Sequence, residues 1–341
     1  MDTASLDYDL PAEAIAQTPV EPRDAARLLI DEGAGRVPRH GRIGDLVGLI
    51  GPGDVVVVNT TRVLPARLRL HRASGGAVEV LLLEPLGDDS GDPPRWEALV
   101  RPSRKVPPGT ALPVADGVTV VVGDDLGEGR RVIEVGLPTG LDLLAMLERY
   151  GEIPLPPYIT APLLDPGRYQ TTYAEQPGSV AAPTAGLHLT AAVLDGMRAA
   201  GATVAPVDLV VGLGTFRPIA TDRVEDHQMH GERYRVPEST MAACQAAGRV
   251  VAIGTTTVRA LESAAATGDL SGRTDLFIHG DRPFAVVDAL VTNFHQPRSS
   301  LLVLIDALVG PRWRSLYAEA LQAGYRFLSF GDAMFLRGER G

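Results

Sequence analysis

A loop of small residues that ends in a histidine is the first candidate for chemistry. Residues 179–188 read SVAAPTAGLH, and small side chains let a ligand or a neighbouring backbone approach closely. The edge of a substrate could contact this loop at Thr184 and Gly186, and His188 could then transfer a proton. The alternative is a packed turn whose histidine only bonds to the backbone.

The second candidate is the segment 227–234, which reads HQMHGERY. Two-residue alternation in a strand would place His230, Glu232 and Tyr234 on one face, so three proton-handling groups would share a surface. A zinc site through His227 and His230 is a weaker interpretation, because the spacing supplies no third ligand. An exposed polar strand face is the remaining alternative.

Two glycine-containing loops each follow a predicted strand, at 212–216 and at 254–259. Ligands of open α/β sheets bind beyond the carboxyl ends of the strands, which makes both loops candidate ligand contacts. The residues that we select there are Gly214, Thr215 and Arg259. Neither loop matches a dinucleotide fingerprint or a Walker loop. Arg259 and Glu262 lie one helical turn apart, so an ordinary ion pair is the alternative.

Polar residues also gather near the end of the chain. Thr292, Asn293 and His295 follow a predicted buried strand, where α/β enzymes keep polar groups. Asp332 follows an apolar run at 325–330 that predicts the last strand. We take Asn293 and Asp332 as substrate contacts and His295 as a proton-transfer group, with a turn or helix cap as the alternative for Asp332.

Two basic clusters are candidates for contacts with phosphates. The first consists of Arg62, Arg67, Arg69 and Arg72, and the second of Arg101, Arg104 and Lys105. A solvated face of a β-sheet is the alternative.

Composition excludes several classes of protein. The 341 residues carry 32 basic and 42 acidic groups, a net charge of −10, which argues against a protein that coats nucleic acid through a basic surface. The single cysteine, Cys244, cannot form an internal disulfide, a thiolate zinc site or an iron–sulfur cluster. The acidic start and the lack of an apolar run of about 18 residues predict a cytoplasmic protein without a membrane span.

The elements that must position these residues change character along the chain. Four β-rich runs, at 77–83, 96–100, 118–122 and 131–135, lie between turn signals and indicate a small antiparallel barrel or sandwich. Outside them, helical and strand patterns alternate, which is typical of βαβ units. Predicted helices lie near 43–50, 141–147, 190–200, 241–247 and 301–309, and two more begin at about 255 and near 315. Predicted strands lie near 55–58, 204–211, 249–253, 286–291 and 325–330.

The simplest architecture is an α/β domain interrupted by an inserted β domain. We place the largely parallel-sheet α/β domain at 1–66 and 138–341, and the inserted antiparallel, barrel-like all-β domain at 67–137. At roughly 150 residues per domain, two domains also fit the length of the chain.

A dozen segments match one known family in order and nearly end to end. They lie at 7–11 (DYDLP), 16–19 (AQTP), 23–24, 27–29, 63–68, 154–159, 168–171 (RYQT), 179–188, 212–218, 227–234, 292–295 (TNFH) and 325–334. The chain resembles the S-adenosylmethionine:tRNA ribosyltransferase-isomerases of queuosine biosynthesis.

This resemblance implies an α/β domain with an inserted β-barrel, and a specific reaction. The ribosyl part of S-adenosylmethionine moves to 7-aminomethyl-7-deazaguanine in tRNA, epoxyqueuosine forms, and adenine and methionine are released. No metal and no separate cofactor is implied, since S-adenosylmethionine is consumed as a substrate. The implied partners are S-adenosylmethionine and tRNA, with no membrane, and we expect a monomer.

The reaction defines what the site must supply. A sulfonium acidifies the neighbouring ribose C5′ hydrogens, so a base is needed, and adenine leaves after protonation by an acid. The candidate proton-transfer residues are His188, His230, Glu232 and His295. Arg259 is the candidate anchor for the methionine carboxylate.

The chain departs from the family's pattern at Thr60, Thr160, Ala161 and Val210, and these departures keep other functions open. A relative could transfer the same ribosyl unit to a free deazaguanine or another small acceptor. A non-catalytic relative would bind tRNA or a nucleoside without turnover. An ordinary methyltransferase fits least, because no glycine-rich first βα turn lies near an acidic ribose ligand.

Overall fold

A computed structural model of the protein describes residues 1–87, 93–212 and 218–338. The chain divides into two compact units. The first unit comprises Met1–Arg62, Pro156–Gln176 and Ala182–Gly341, and the second comprises Val63–Leu155 and Pro177–Ala181.

Strands and α-helices are numbered in chain order. The strands are β1 (Arg27–Asp31), β2 (Arg39–Arg42), β3 (Asp54–Asn59), β4 (Thr61–Val63), β5 (Arg67–His71), β6 (Ala77–Pro85), β7 (Arg95–Arg101), β8 (Thr110–Pro113), β9 (Thr119–Gly127), β10 (Arg130–Gly136), β11 (Gln176–Ser179), β12 (Thr203–Leu209), β13 (Glu232–Arg235), β14 (Arg249–Ile253), β15 (Ser271–Thr274), β16 (Ala289–Asn293) and β17 (Ala333–Arg337). The helices are α1 (Leu143–Tyr150), α2 (Ala191–Ala199), α3 (Glu238–Ala246), α4 (Thr255–Thr267), α5 (Ser300–Val309) and α6 (Trp313–Gln322).

A mixed sheet forms the centre of the first unit, in the order β15-β13-β12-β3-β14-β16-β17-β1-β2 among the described residues. The inner strands β12, β3, β14 and β16 are mutually parallel, and β17 runs antiparallel to β16. The valines at 55–58 of β3 are all buried, as expected for a strand that is covered on both faces. The predicted α/β class with parallel strands is confirmed.

Helix α2 covers one face of this sheet. The Thr190 hydroxyl caps its first turn by accepting from the Val193 N–H, as the sequence predicts. Met197 of α2 packs in a core cluster with Val56 and Val58 of β3. The apolar pattern at 43–50 forms a 3-10 helix (Ile43–Leu49) beside α2 rather than an α-helix, and glycines at 44 and 48 lower its α-helical propensity.

The predicted strand at 325–330 is wrong. Leu328 has a φ of +68°, a left-handed conformation that interrupts an extended strand. The Leu328 N–H donates to the Phe294 carbonyl, and the Phe327 and Phe294 rings stack with centroids 4.6 Å apart. The apolar run is therefore buried by aromatic packing in a turn. The last strand is β17, and Asp332 precedes it.

The second unit contains an antiparallel sheet in the order β5-β6-β7-β10-β9-β8. Its two outer strands, β5 and β8, contact each other, so the sheet is nearly closed. The predicted antiparallel, barrel-like β architecture is confirmed. This unit also contains α1, which we expected in the α/β domain. The domain boundaries at 67 and 137 stay a prediction.

No helix within the described ranges combines the length and the apolar character needed to cross a membrane.

Candidate active site

Three adjoining cavities of the first unit form what we call the trough. The central cavity is lined by Gly254, Thr292 and His295 among others. Arg259 lines the second cavity, called the Arg259 cavity, and Tyr158 lines the third, called the Tyr158 cavity. Leu301 lines all three, so the three cavities adjoin one another.

The trough lies where the parallel strands β14 and β16 end. Gly254 follows β14 with a φ of +88°, which turns the chain into α4 and brings Thr255 and Thr256 to the central cavity. His295 comes two residues after the end of β16. The carboxyl ends of parallel strands are the usual ligand-binding edge of an α/β sheet.

Asn59, at the end of β3, fixes the edge of the trough, and sequence reasoning missed it. Its Oδ1 accepts from the N–H groups of Thr61 and Leu209, both at 3.1 Å. Its Nδ2 donates to the Leu209 carbonyl at 3.0 Å and to Thr256 Oγ1 at 3.2 Å. A buried amide at the end of an apolar strand was the available signal, because such a group needs partners.

His295 lines both the central and the Tyr158 cavity. Its ring Nε2 lies 3.0 Å from Thr292 Oγ1. The backbone N–H of His295 donates to the Tyr317 hydroxyl at 3.0 Å. Tyr8 donates to its carbonyl. Burial lowers the pKa of the imidazole to about 3, so the ring is neutral at pH 7.

His188 belongs to a buried hydrogen-bond chain that reaches the trough. The Asn293 Nδ2 lies 3.1 Å from His188 Nε2, and Thr184 Oγ1 donates to Asn293 Oδ1 at 2.8 Å. Thr184 lines the central and Tyr158 cavities, whereas His188 lines a separate small cavity. Burial, together with the charges of nearby arginines, lowers the pKa of His188 to about 4.

Glu232 and Arg259 form a buried ion pair. Glu232 Oε1 also accepts from the Gly212 N–H at 2.9 Å. The remaining guanidinium nitrogens of Arg259 donate to the carbonyls of Leu276 and Thr274. Every nitrogen of the proposed carboxylate anchor thus already donates within the protein.

The alternative of an Arg259–Glu262 ion pair is wrong. Glu262 instead accepts from three consecutive backbone N–H groups, those of residues 285–287, at 2.7 to 3.0 Å. Its carboxylate therefore organises that loop.

The predicted alignment of His230 with Glu232 and Tyr234 is wrong. Strand β13 begins at Glu232, so only Glu232 and Tyr234 share its buried face, while His230 is exposed before the strand. The Tyr234 hydroxyl donates to the Asp269 carbonyl at 2.9 Å. No cluster of three or more metal-ligating His, Cys, Asp or Glu side chains occurs among the described residues.

Two further candidates, Asp332 and Gly186, have structural roles. The Asp332 carboxylate accepts from the N–H groups of Arg27 and Arg326, at 2.9 and 2.8 Å, which matches the cap alternative. Gly186 allows close packing, because a Cβ there would lie 2.1 Å from the Tyr173 hydroxyl. The candidates Gly214 and Thr215 lie outside the described residues.

The basic candidates differ in their exposure and in their local contacts. Arg69 bonds to Glu152 at 2.8 Å, and Arg67 lies 3.7 Å from Glu79. Arg101, Arg104 and Lys105 are exposed, and none of these three has an ion-pair partner in the part of the chain that is described. The Arg72 guanidinium donates to the Lys105 carbonyl at 3.1 Å, so these residues of the second unit lie together. Arg62 is exposed in the first unit.

The four residues that depart from the family pattern each form hydrogen bonds with other residues of the protein. Thr60 Oγ1 donates to Asp208 Oδ1 at 2.9 Å, and burial raises the pKa of that carboxyl. Thr160 donates from its backbone N–H to Gln17 Oε1 at 2.9 Å, and the Ala161 N–H donates to the same oxygen at 3.4 Å. Val210 donates from its N–H to the Arg233 carbonyl.

Comparison with known proteins covers almost the whole chain. The family model described as queuosine biosynthesis protein matches residues 3–336. The S-adenosylmethionine:tRNA ribosyltransferase-isomerase of Rubrobacter xylanophilus is 49% identical over 99% of this chain and 98% of its own length. That of Heliobacterium modesticaldum is 46% identical over 98% of this chain and 100% of its own.

A solved structure agrees with these relatives. The crystal structure of S-adenosylmethionine tRNA ribosyltransferase from Thermotoga maritima is 34% identical, with a TM-score of 0.55, over 97% of this chain and 99% of the other. The predicted family is confirmed. The chain belongs to the queuosine biosynthesis family of S-adenosylmethionine:tRNA ribosyltransferase-isomerases and is an enzyme of that family.

Proposed function

We propose that the enzyme transfers and isomerises the ribosyl group of S-adenosylmethionine onto 7-aminomethyl-7-deazaguanine in tRNA. The products are epoxyqueuosine in tRNA, free adenine and methionine. The observation that carries this proposal is the trough at the ends of β14 and β16, which is lined by residues of the family segments at 179–188 and 292–295. S-Adenosylmethionine enters as a consumed substrate, and the proposed reaction uses no metal and no separate cofactor.

The reaction begins with removal of a proton from ribose C5′, next to the sulfonium. We assign this step to His295, because it lines two of the three cavities. The protonated ring can then donate this proton to the departing adenine. The aminomethyl nitrogen of the acceptor loses its own proton and forms a bond to the ribosyl carbon skeleton. The bonds from that skeleton to adenine and to the methionine sulfur break, which releases both products.

The other proton-transfer candidates take supporting roles in this proposal. His188 contacts Asn293, which accepts from the trough residue Thr184, so His188 orients the trough wall. Glu232 holds Arg259 at the edge of its cavity. His230 is exposed, and it could reach the acceptor only from outside the trough.

The acceptor that we propose is a tRNA. Arg101, Arg104 and Lys105 are exposed and have no ion-pair partner among the described residues, which supports a phosphate contact on the second unit. We further propose that the enzyme acts in the cytoplasm, as a monomer.

One incubation tests the proposed function. Purified enzyme is mixed with S-adenosylmethionine and with tRNA that carries the aminomethyl base, and nucleosides and small molecules are analysed by mass spectrometry. We expect epoxyqueuosine together with equimolar adenine and methionine. S-Adenosylhomocysteine as the product would contradict the proposal.

Two further arms separate the alternatives. If product forms only with the free deazaguanine base, the acceptor is a small molecule and not tRNA. Binding of tRNA with no release of adenine would indicate a non-catalytic relative.

A further inference from the structure

Asn293, at the end of β16, connects a buried histidine to the wall of the trough. Its side-chain Nδ2 donates to the Asp332 carbonyl at 3.3 Å and lies 3.1 Å from His188 Nε2. Its Oδ1 accepts from Thr184 Oγ1 at 2.8 Å. Asn293 is only 2% exposed, so its amide depends on these protein groups for its hydrogen bonds.

The backbone carbonyl of Asp332 fixes the direction of this hydrogen-bond chain. A carbonyl can only accept, so the amide of Asn293 must turn its NH₂ group toward Asp332. His188 Nε2 contacts the same amide nitrogen and must therefore accept as well, which places the proton of the neutral imidazole on Nδ1. The other side of the amide is its oxygen, and Thr184 donates its hydrogen there.

The electrostatics of His188 agree with this tautomer. Burial, more than the charges of nearby arginines, lowers the pKa of His188 to about 4, so the ring is neutral at pH 7. A backbone hydrogen bond with Arg23 acts on the pKa in the opposite direction, as a bond that the ring donates would. The neutral ring therefore donates to the backbone through one nitrogen and accepts from Asn293 through the other.

Thr184 is the residue of this chain through which a ligand in the trough is contacted. It is half-buried and lines both the central and the Tyr158 cavity. A hydroxyl has one hydrogen and two lone pairs, and the hydrogen of Thr184 is committed to Asn293. The Thr184 hydroxyl can therefore offer a ligand only an acceptor.

His295 lines the same two cavities, which indicates the part of the substrate that faces Thr184. In the proposed reaction His295 removes a proton from ribose C5′, so the ribose must lie within reach of both residues. The hydrogen-bond donors that this ribose carries are its 2′- and 3′-hydroxyls. An acceptor-only Thr184 also returns no proton to C5′, because Asn293 holds its hydrogen.

We propose that Thr184 accepts a hydrogen bond from a ribose hydroxyl of S-adenosylmethionine, and that Asn293 and His188 are positioning residues that keep Thr184 in this acceptor role. This inference rests on the proposed function and deepens it, since it names the substrate group that the loop of small residues at 179–188 recognises. Asn293 and His188 act on the ribose through Thr184.

Analogues of S-adenosylmethionine that lack one ribose hydroxyl test this contact. Equilibrium dialysis measures the affinities of S-adenosylmethionine and of its 2′-deoxy and 3′-deoxy analogues, in the presence of tRNA without the aminomethyl base so that no turnover occurs. We expect wild-type enzyme to bind S-adenosylmethionine about two- to tenfold more tightly than one of the analogues, the usual effect of one hydrogen bond. In Thr184→Val this hydroxyl preference should disappear, whereas Thr184→Ser should keep it.

A matched control and two Asn293 variants separate positioning from folding. Thr172→Val should keep the preference, because the exposed Thr172 donates to the Leu189 carbonyl and lines none of the three cavities. Asn293→Leu removes the acceptor of the Thr184 hydrogen and should reduce the preference, and Asn293→Asp retains that acceptor and should preserve it. Circular dichroism melts of each variant report on folding.

Nitrogen NMR spectra of isotopically labelled histidine rings test the direction of the chain. We expect one ring, identified by the loss of its signal in His188→Gln, to be the neutral Nδ1–H tautomer at pH 7. In Asn293→Asp the new carboxylate should raise the pKa of His188 and shift this ring toward its protonated form. A purely structural role of Asn293 predicts no such coupling.

The outcomes distinguish this inference from the proposed function. A preference that Thr184→Val abolishes for one analogue supports the inference and identifies the hydroxyl as 2′ or 3′. If wild-type enzyme discriminates against neither analogue, if folded Thr184→Val keeps the full preference, or if His188 carries its proton on Nε2, the inference is wrong while the proposed function stands. If wild-type enzyme binds no S-adenosylmethionine at all, both fail.

Discussion

His295 is the proton-transfer candidate that lines the trough directly. We expect His295→Asn to lower kcat/KM about 10²- to 10⁴-fold, which is the usual contribution of a general base. The affinity for S-adenosylmethionine should stay within a few-fold of wild type, because the pocket keeps its shape. Single-turnover adenine release and calorimetry measure the two quantities.

A surface histidine provides the control for this substitution. His40 lies on β2 and contacts Tyr325 and Glu319, away from the residues that line the trough. His40→Asn should keep the wild-type rate of adenine release. A wild-type rate in His295→Asn would remove His295 from the mechanism.

The two buried histidines also predict how stability depends on pH. Burial lowers the pKa of His295 to about 3, and burial with nearby arginines lowers that of His188 to about 4, both from 6.5. As the pH falls below 6.5, the unfolded chain binds protons at these rings and the folded protein does not, so stability decreases. The maximum slope is about 1.4 kcal/mol per pH unit for each histidine.

Urea unfolding at several pH values checks this dependence. Between pH 6.5 and pH 5 we expect the free energy of unfolding to decrease, and we expect a shallower slope in His295→Asn and in His188→Asn than in wild type. A slope that neither substitution changes would show that these rings are not the source.

At the scale of elements, Asn59 joins β3, β12 and α4. Asn59→Ala removes four hydrogen bonds and leaves buried backbone groups of Leu209 and Thr61 without a partner. We expect a loss of about 2–4 kcal/mol of stability, measured by urea unfolding.

Thr240→Val is the graded comparison for Asn59. The Thr240 hydroxyl makes a single bond, to the Pro206 carbonyl at 2.8 Å, so its loss should cost about 1 kcal/mol. Equal losses in the two variants would mean that the network of Asn59 contributes no more than one hydrogen bond.

Gly186 tests how the 3-10 helix Thr184–His188 is packed. A Cβ at this position would lie 2.1 Å from the Tyr173 hydroxyl and 3.1 Å from Thr171 Cγ2. We expect Gly186→Ala to cost about 1–3 kcal/mol through overpacking. Adding Tyr173→Phe removes the hydroxyl and should recover part of the loss, as thermal melts would report; no recovery would place the strain elsewhere.

The local patterns in the sequence predicted most elements but not all of their contacts. Thr190 as a cap, the buried valines of β3 and the helix at 301–309 follow from nearest-neighbour chemistry, and each occurs as expected. The run 325–330 was mistaken for a strand because burial by aromatic packing gives the same apolar pattern as burial in a sheet. The Arg259–Glu232 pair joins α4 to β13, and no local spacing encodes such a contact.

At the scale of the whole molecule, the basic residues of the second unit bear on the acceptor. We expect R104Q/K105Q to raise the KM for tRNA about tenfold and to lower the slope of log affinity against log salt by about 1.5, since two phosphate contacts are lost. Binding of S-adenosylmethionine should not change. Filter binding at several salt concentrations measures this slope.

Arg69 offers an internal comparison on the same unit. Because Arg69 is bonded to Glu152, we expect Arg69→Gln to change the salt slope less than R104Q/K105Q does. An unchanged tRNA affinity in R104Q/K105Q would exclude this surface from binding the acceptor.

The central claim is that the trough binds S-adenosylmethionine. Its most direct test is to fill the trough with a larger side chain and to measure binding of S-adenosylmethionine. Leu301 lines all three cavities, so Leu301→Trp should abolish binding of S-adenosylmethionine in equilibrium dialysis while the protein stays folded. Leu164→Trp, at a side chain that is 95% exposed, should bind as wild type does. Wild-type affinity in a folded Leu301→Trp variant would contradict the assignment of the trough as the S-adenosylmethionine site.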